Sequence, residues 1–154
     1  MIQRIQSLYL LIAVIFVGVL FFVPLAGLSG KEGDLFLVYL SGVVSESTAN
    51  GAINQKSWPL IIYACLVMLM LVWIIFRYGN RALQIRLSYI AILLLIGLTA
   101  LIYYYVWSSQ ISLEGIFSLK IYFSFPLVSA VFVYLAIKGI AKDEKLIKSI
   151  DRIR

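Results

Sequence analysis

Residues 58–76, WPLIIYACLVMLMLVWIIF, and residues 87–107, LSYIAILLLIGLTALIYYYVW, contain no charged side chain. A helix rises about 1.5 Å per residue, so about 20 apolar residues span a hydrocarbon layer about 30 Å thick. Both runs meet that length. Two shorter uncharged runs, 8–23 and 121–137, have apolar or amphipathic flanks that extend them. The pattern predicts an all-α membrane protein. Its fold is a four-helix transmembrane bundle with a small extracytoplasmic β-hairpin or sheet and a C-terminal cytoplasmic amphipathic helix. One transmembrane domain takes up residues 1–154, with spans at about 6–25, 58–77, 86–107 and 119–140, an outer loop at 26–57 and a tail at 141–154.

Composition agrees with lipid as the solvent. Hydrophobic residues make up 63% of the chain and charged residues 13%, about half the charged share of a soluble domain. The net charge of +6 falls on residues that flank the apolar runs, which points to anionic headgroups rather than nucleic acid. Of the 13 basic residues, ten fall beside the predicted inner ends: Arg4, Arg77, Arg81, Arg86, Lys138 and the basic residues of the tail. Lys31, Lys56 and Lys120 fall on the other side. By the positive-inside rule both termini are cytoplasmic, in a multi-pass protein of the bacterial inner membrane. Trp58 and Trp107 then mark outer ends and Trp73 an inner end, as interfacial aromatic belts require.

The residues needed for familiar chemistry are in short supply. The chain has no histidine and one cysteine, Cys65, so an intrachain disulfide and the common metal-ligand sets are excluded. Cys65 reads as a small packing residue within span two. Glycine-rich phosphate loops and nucleophile–base sets do not occur. Neighbouring acids occur at Glu32 with Asp34 and at Asp143 with Glu144, and both pairs read as solvated faces. No ionisable residue lies at membrane depth, where transporters and proton channels keep one. The expectation is a protein that is not an enzyme, without cofactor, metal or nucleic-acid ligand.

Local signals add detail. Ile2 and Ile5 suit a helical turn in the headgroup zone, and the first run reads as an uncleaved signal anchor ending near Pro24. In the outer loop, the β-prone run at 35–40 and the Asn50-Gly51 turn predict a hairpin or short sheet, with an edge strand near Ile111 and Leu113. Ser57-Trp58-Pro59 reads as a helix start, with serine able to cap and proline tolerated in the first turn. Gly79-Asn80 reads as a tight inner turn. Tyr103, Tyr104 and Tyr105 point about 100° apart and cannot form one site. Pro126 lies well inside the fourth run and predicts a kink. In the tail, Leu146, Ile147, Ile150 and Ile153 share one helical face. Gly18, Ala64, Gly97 and Ala130 are candidate points of close helix approach.

Three stretches on the predicted cytoplasmic side carry a resemblance: MIQRIQ at 1–6, NRALQIR at 80–86, and the tail from KDE at 142–144 through SIDRIR at 149–154. Together they resemble an uncharacterised family of four-span inner-membrane proteins of Bacteroidota, known as a domain of unknown function. The resemblance implies topology and origin, and no mechanism. In these stretches Arg4, Arg81, Gln84, Arg86, Asp143, Glu144, Asp151 and Arg152 gather on one side of the membrane. They form either ion pairs that tie the helix ends together or a surface that docks another protein or lipid headgroups. Besides an intramembrane enzyme that relies on an unrecognised cofactor, two functions remain open. One is a non-catalytic subunit, scaffold or accessory protein of a membrane complex. The alternative is a small-molecule or lipid transporter or binder, with a cavity among the helices near Ser88, Thr99, Ser124, Ser129 and the tyrosines.

Overall fold

The structure is a computed structural model. It describes the chain at 3–29, 35–45, 53–77, 79–113 and 116–151, with side chains described at 6–29, 35–45, 57–77, 79–111 and 118–143. Four helices, α1 (Gln3–Val19), α2 (Trp58–Phe76), α3 (Arg81–Leu113) and α4 (Phe125–Asp151), form a bundle. Five short strands, β1 (Ala26–Ser29), β2 (Leu35–Tyr39), β3 (Gly42–Ser45), β4 (Ile53–Lys56) and β5 (Ile116–Leu119), form one antiparallel sheet in the order β4-β3-β2-β1-β5.

Each helix buries one narrow stripe. On α2 the buried positions are Leu60, Ala64, Val67, Leu71 and Ile74, alternating four and three residues apart. Gln6, Leu10, Ala13, Val17 and Leu20 repeat the spacing along α1 and the turn after it. This is the seam of a left-handed antiparallel bundle. The helices pack in a ring, each against two neighbours, α1 on α2 and α4, and α3 on α2 and α4. Only about a third of each long apolar window is buried by the rest of the chain. Leu66, Leu69 and Trp73 on α2, Leu93 and Ile96 on α3, and Val131 and Leu135 on α4 face outward. Water is a poor solvent for so continuous an apolar exterior, and lipid is a good one. Three helical stretches are long and apolar enough to cross a membrane: Trp58–Phe76, Arg81–Ile111 and Ile121–Asp143. The apolar part of α1, Gln6–Val19, is shorter. The chain is a multi-pass membrane protein.

The sheet closes one end of the bundle. Leu25 N–H donates to Val38 O (2.7 Å), Lys120 N–H to Leu25 O (3.1 Å) and Ser57 N–H to Ser41 O (3.2 Å), so the end of α1 and the starts of α2 and α4 are tied to it. Ala26, Leu28, Val38 and Val43 share its inner face and pack on Leu60, Leu98, Ile102 and Val106. Leu40 and Ser41 make the turn between β2 and β3, and Gly42 follows at φ 147°, a conformation that disfavours side chains.

Several expectations are corrected. The expected hairpin or short sheet is a five-stranded sheet; the edge strand expected near Ile111 and Leu113 is instead β5, with β4 at the other edge. Ile111 and Leu113 belong to α3, which runs on past the apolar window. Asn50-Gly51 lies outside the described residues. Pro126 is the second residue of α4, after a 3₁₀ turn at Ile121–Ser124, so it starts the helix instead of kinking it. The apolar run continued through the 3₁₀ turn and concealed this boundary. Ser57 sits at the start of α2 without a side-chain capping bond; its carbonyl accepts from Leu60 N–H (3.1 Å). Cys65 is exposed, because the buried stripe passes through Ala64 and Val67. The tail is a continuation of α4 through Asp151 rather than a helix of its own.

Candidate functional site

The end of the bundle opposite the sheet is where the buried stripes turn polar. Gln6, Gln84, Ser88 and Asp143 are all buried there. On α1 and α4, the Gln6 amide Nε2 donates to Asp143 Oδ2 across a sequence separation of 137 residues. Gly139 lies one turn before Asp143, and a Cβ built on it would stand 3.0 Å from Gln6 Cγ. The small residue thus makes room for the glutamine between the helices.

Gln84 does a different task on the other hairpin. Its Nε2 donates to Ile74 O (3.3 Å), a carbonyl in the last turn of α2 that also accepts from Arg77 N–H (3.2 Å). Gln84 O in turn accepts from Ser88 Oγ (2.8 Å). Asn80 O accepts from Gln84 N–H (3.0 Å) and starts α3. The tight turn and the Gln84 side chain together satisfy the junction.

Basic side chains surround this polar layer. Arg81 is half-buried, while Arg77, Arg86, Lys138 and Lys142 are exposed. Lys138 Nζ lies 4.9 Å from the centroid of the Tyr134 ring, a cation–π arrangement that orients the ammonium along α4. Among the described residues, the partner of Asp143 is the Gln6 amide and not an arginine.

Of the eight residues expected to form a docking surface, Arg81, Gln84, Arg86 and Asp143 have described side chains. Arg81 and Arg86 reach the surface; Gln84 and Asp143 are turned into the bundle and hydrogen-bonded there. Arg152 lies outside the described residues, as do the side chains of Arg4, Glu144 and Asp151. Gln6 was missed as a partner of Asp143. Its position at the head of the stripe Gln6, Leu10, Ala13, Val17 was the available signal.

The serines and threonine proposed to line a cavity are engaged individually. Ser88 Oγ donates to Gln84 O (2.8 Å), Thr99 Oγ1 to Leu95 O (3.1 Å) and Ser129 Oγ to Phe125 O (2.9 Å), each one helical turn back. Ser129 Oγ also lies 3.3 Å from Ala13 O and so bridges α4 to α1. Ser124 is exposed in the 3₁₀ turn. Among the described residues no buried side-chain oxygen or nitrogen lacks a hydrogen-bond partner. Neither a metal-binding group of three or more His, Cys, Asp or Glu nor a catalytic cluster is found among them.

A family model described as "Domain of unknown function (DUF4293)" matches residues 2–153. The curated proteins include no match to the chain. The match spans both the bundle and the sheet, and the chain belongs to the DUF4293 family, a family of unknown function.

Proposed function

We propose that this chain is a non-catalytic subunit, scaffold or accessory protein of a bacterial inner-membrane complex, with four crossings and both termini in the cytoplasm. The observation that carries the reading is the use of the polar groups inside the bundle. Gln6, Asp143, Gln84 and Ser129 hold helices and helix ends together, while among the described residues the fully exposed charged side chains, Arg77, Arg86, Lys138 and Lys142, are basic and stand at the end opposite the sheet. Internal bonds fix a scaffold, and the guanidinium groups of half-buried Arg81 and exposed Arg86 are suited to carboxylates of a cytoplasmic partner or to lipid phosphates.

The reading of α1 as a crossing is supported by its continuation. Leu20, Phe21 and Phe22 N–H groups donate to carbonyls three residues back, at 3.2, 3.2 and 3.0 Å, so the rod extends past Val19. From Gln6, the α-helix to Val19 and three more residues at 3₁₀ rise reach about 27 Å, close to the thickness of a hydrocarbon core. Leu8, Leu11, Ile15 and Phe22 are exposed along that length and suit contact with lipid. The test is purification in a mild detergent after crosslinking in native membranes. A partner at fixed stoichiometry is expected, and its loss in Arg81→Glu/Arg86→Glu protein locates the contact. A chain that emerges alone after crosslinking contradicts the reading.

A further inference from the structure

The face of the sheet turned away from the bundle carries a cleft. Its volume is about 450 Å³, within the range of small-ligand sites. Strand pairing explains how it forms. Gly27 stands opposite Leu37 on β2 and opposite Ser118 on β5, so Ser118, Gly27 and Leu37 make one row across three strands. Ser29 and Leu35 belong to the next row on the same face. A Cβ built on Gly27 would meet nothing within 4 Å. Glycine within a strand weakens the strand, and one common reason for it is close approach of a ligand to the backbone. Here it leaves a hollow floored by backbone, beside Leu35 and Leu37.

The walls point to the ligand class. A solvated sheet face ordinarily alternates to polar residues. This one presents Leu35, which is 55% exposed, and Leu37. Among the described residues of the lining, Lys120 is the charged one, and Ser29 and Ser118 carry hydroxyls. Lys120 immediately precedes Ile121, where the apolar window of the last span begins and which is 76% exposed. The cleft therefore opens where the hydrocarbon layer meets water, with an apolar wall on one side and a cation at its rim.

We propose that this cleft binds a single-chain anionic amphiphile, a long-chain carboxylate whose alkyl chain lies over Gly27 against Leu35 and Leu37 and whose head pairs with Lys120. A volume of about 450 Å³ suits one chain rather than a two-chain lipid. Charge complementarity selects the head, since an ammonium at an interface favours a carboxylate over a neutral hydroxyl.

The test is photolabelling of the full-length protein in a neutral maltoside, using a diazirine-bearing palmitic acid and then peptide mapping. Label is expected on peptides covering residues 27–37 and 118–120. Gly27→Leu fills the hollow, and Ser118→Phe fills it from an exposed position; each is expected to remove most of the label while circular dichroism stays unchanged. Lys120→Gln is expected to weaken labelling about tenfold, the scale of one charge-assisted hydrogen bond. Three outcomes overturn the proposal: equal labelling by the matching long-chain alcohol, label confined to the lipid-facing helix surfaces or unchanged in both filled variants, or labelling only by a two-chain phosphatidylglycerol probe.

Discussion

Gly97 on α3 tests how closely the helices approach. A Cβ at this position would stand 2.6 Å from Tyr63 Oη on α2, inside any tolerable contact, while the next atom, Tyr63 Cζ, is 3.6 Å away. The obstacle is thus the hydroxyl oxygen alone, which donates to Leu94 O at 3.2 Å. Gly97→Ala forces the tyrosine aside. The lost hydrogen bond is worth about 0.5–1.5 kcal/mol and the overpacking about 1–3 kcal/mol. Replacing a helical glycine with alanine returns up to about 1 kcal/mol, leaving a net loss centred on about 2 kcal/mol. For a chain of this size that lowers the unfolding midpoint by about 4 °C. The assay is thermal unfolding in dodecyl maltoside, followed by near-ultraviolet circular dichroism. In a Tyr63→Phe background the oxygen is absent and the nearest remaining ring atom is at an ordinary distance. Gly97→Ala is then expected to be neutral or stabilising, a coupling of at least about 1 kcal/mol. Gly97→Leu is expected to destabilise far more than Leu93→Ala, because Leu93 is 70% exposed and its truncation leaves the seam intact. An equal loss from Gly97→Ala in both backgrounds, or equal midpoints for Gly97→Leu and Leu93→Ala, refutes this packing.

Other expected outcomes concern the polar bonds of the bundle. Gln6→Leu leaves the Asp143 carboxylate buried without its amide partner and is expected to cost about 1–3 kcal/mol, whereas Gln6→Leu/Asp143→Leu recovers most of the loss; additive losses in the same unfolding assay contradict a coupled pair. Ser129→Ala removes the bridge to Ala13 O and is expected to cost about 0.6 kcal/mol, the mean for such bonds between membrane helices. A loss several times larger, read by the same assay, means that Ser129 has another partner. Arg81→Glu/Arg86→Glu is expected to leave the unfolding midpoint within about 0.5 kcal/mol of the parent, as surface changes do, while abolishing co-purification of a partner. A folded variant that keeps its partner moves the contact elsewhere.

How much was legible in the sequence follows from the range of each interaction. The apolar runs of α2 and α3 were evident because a lipid-exposed helix must be apolar on every face. The stripe through Leu60, Ala64, Val67, Leu71 and Ile74 was also present in the spacing, and it would have turned Cys65 outward had it been followed. The β-prone run at 35–40 revealed β2, but β5 pairs with β1 across about ninety residues, and no local pattern reports such a partner. The start of α4 was hidden because Ile121–Ser124 is as apolar as the helix it precedes. The docking-surface residues were grouped by side of the membrane, which charge bias reveals. Whether Gln84 and Asp143 point outward or into the bundle depends on helix phase and on a partner 137 positions away, which it does not. The same limit applied to the cleft at Gly27, since a glycine in a strand has no meaning until its row neighbours are known.

The central claim is that the chain crosses the membrane four times, with the sheet outside and both helix termini inside. Its most direct measurement is labelling of single cysteines in a Cys65→Ser background with a membrane-impermeant maleimide. Gln3→Cys, Ser41→Cys and Lys142→Cys sample the start of α1, the β2–β3 turn and the end of the α4 span. In intact spheroplasts only Ser41→Cys is expected to react, with Gln3→Cys and Lys142→Cys reacting after the membrane is opened. Labelling of Gln3→Cys from outside means that α1 does not cross, and labelling of Lys142→Cys but not Ser41→Cys reverses the whole orientation.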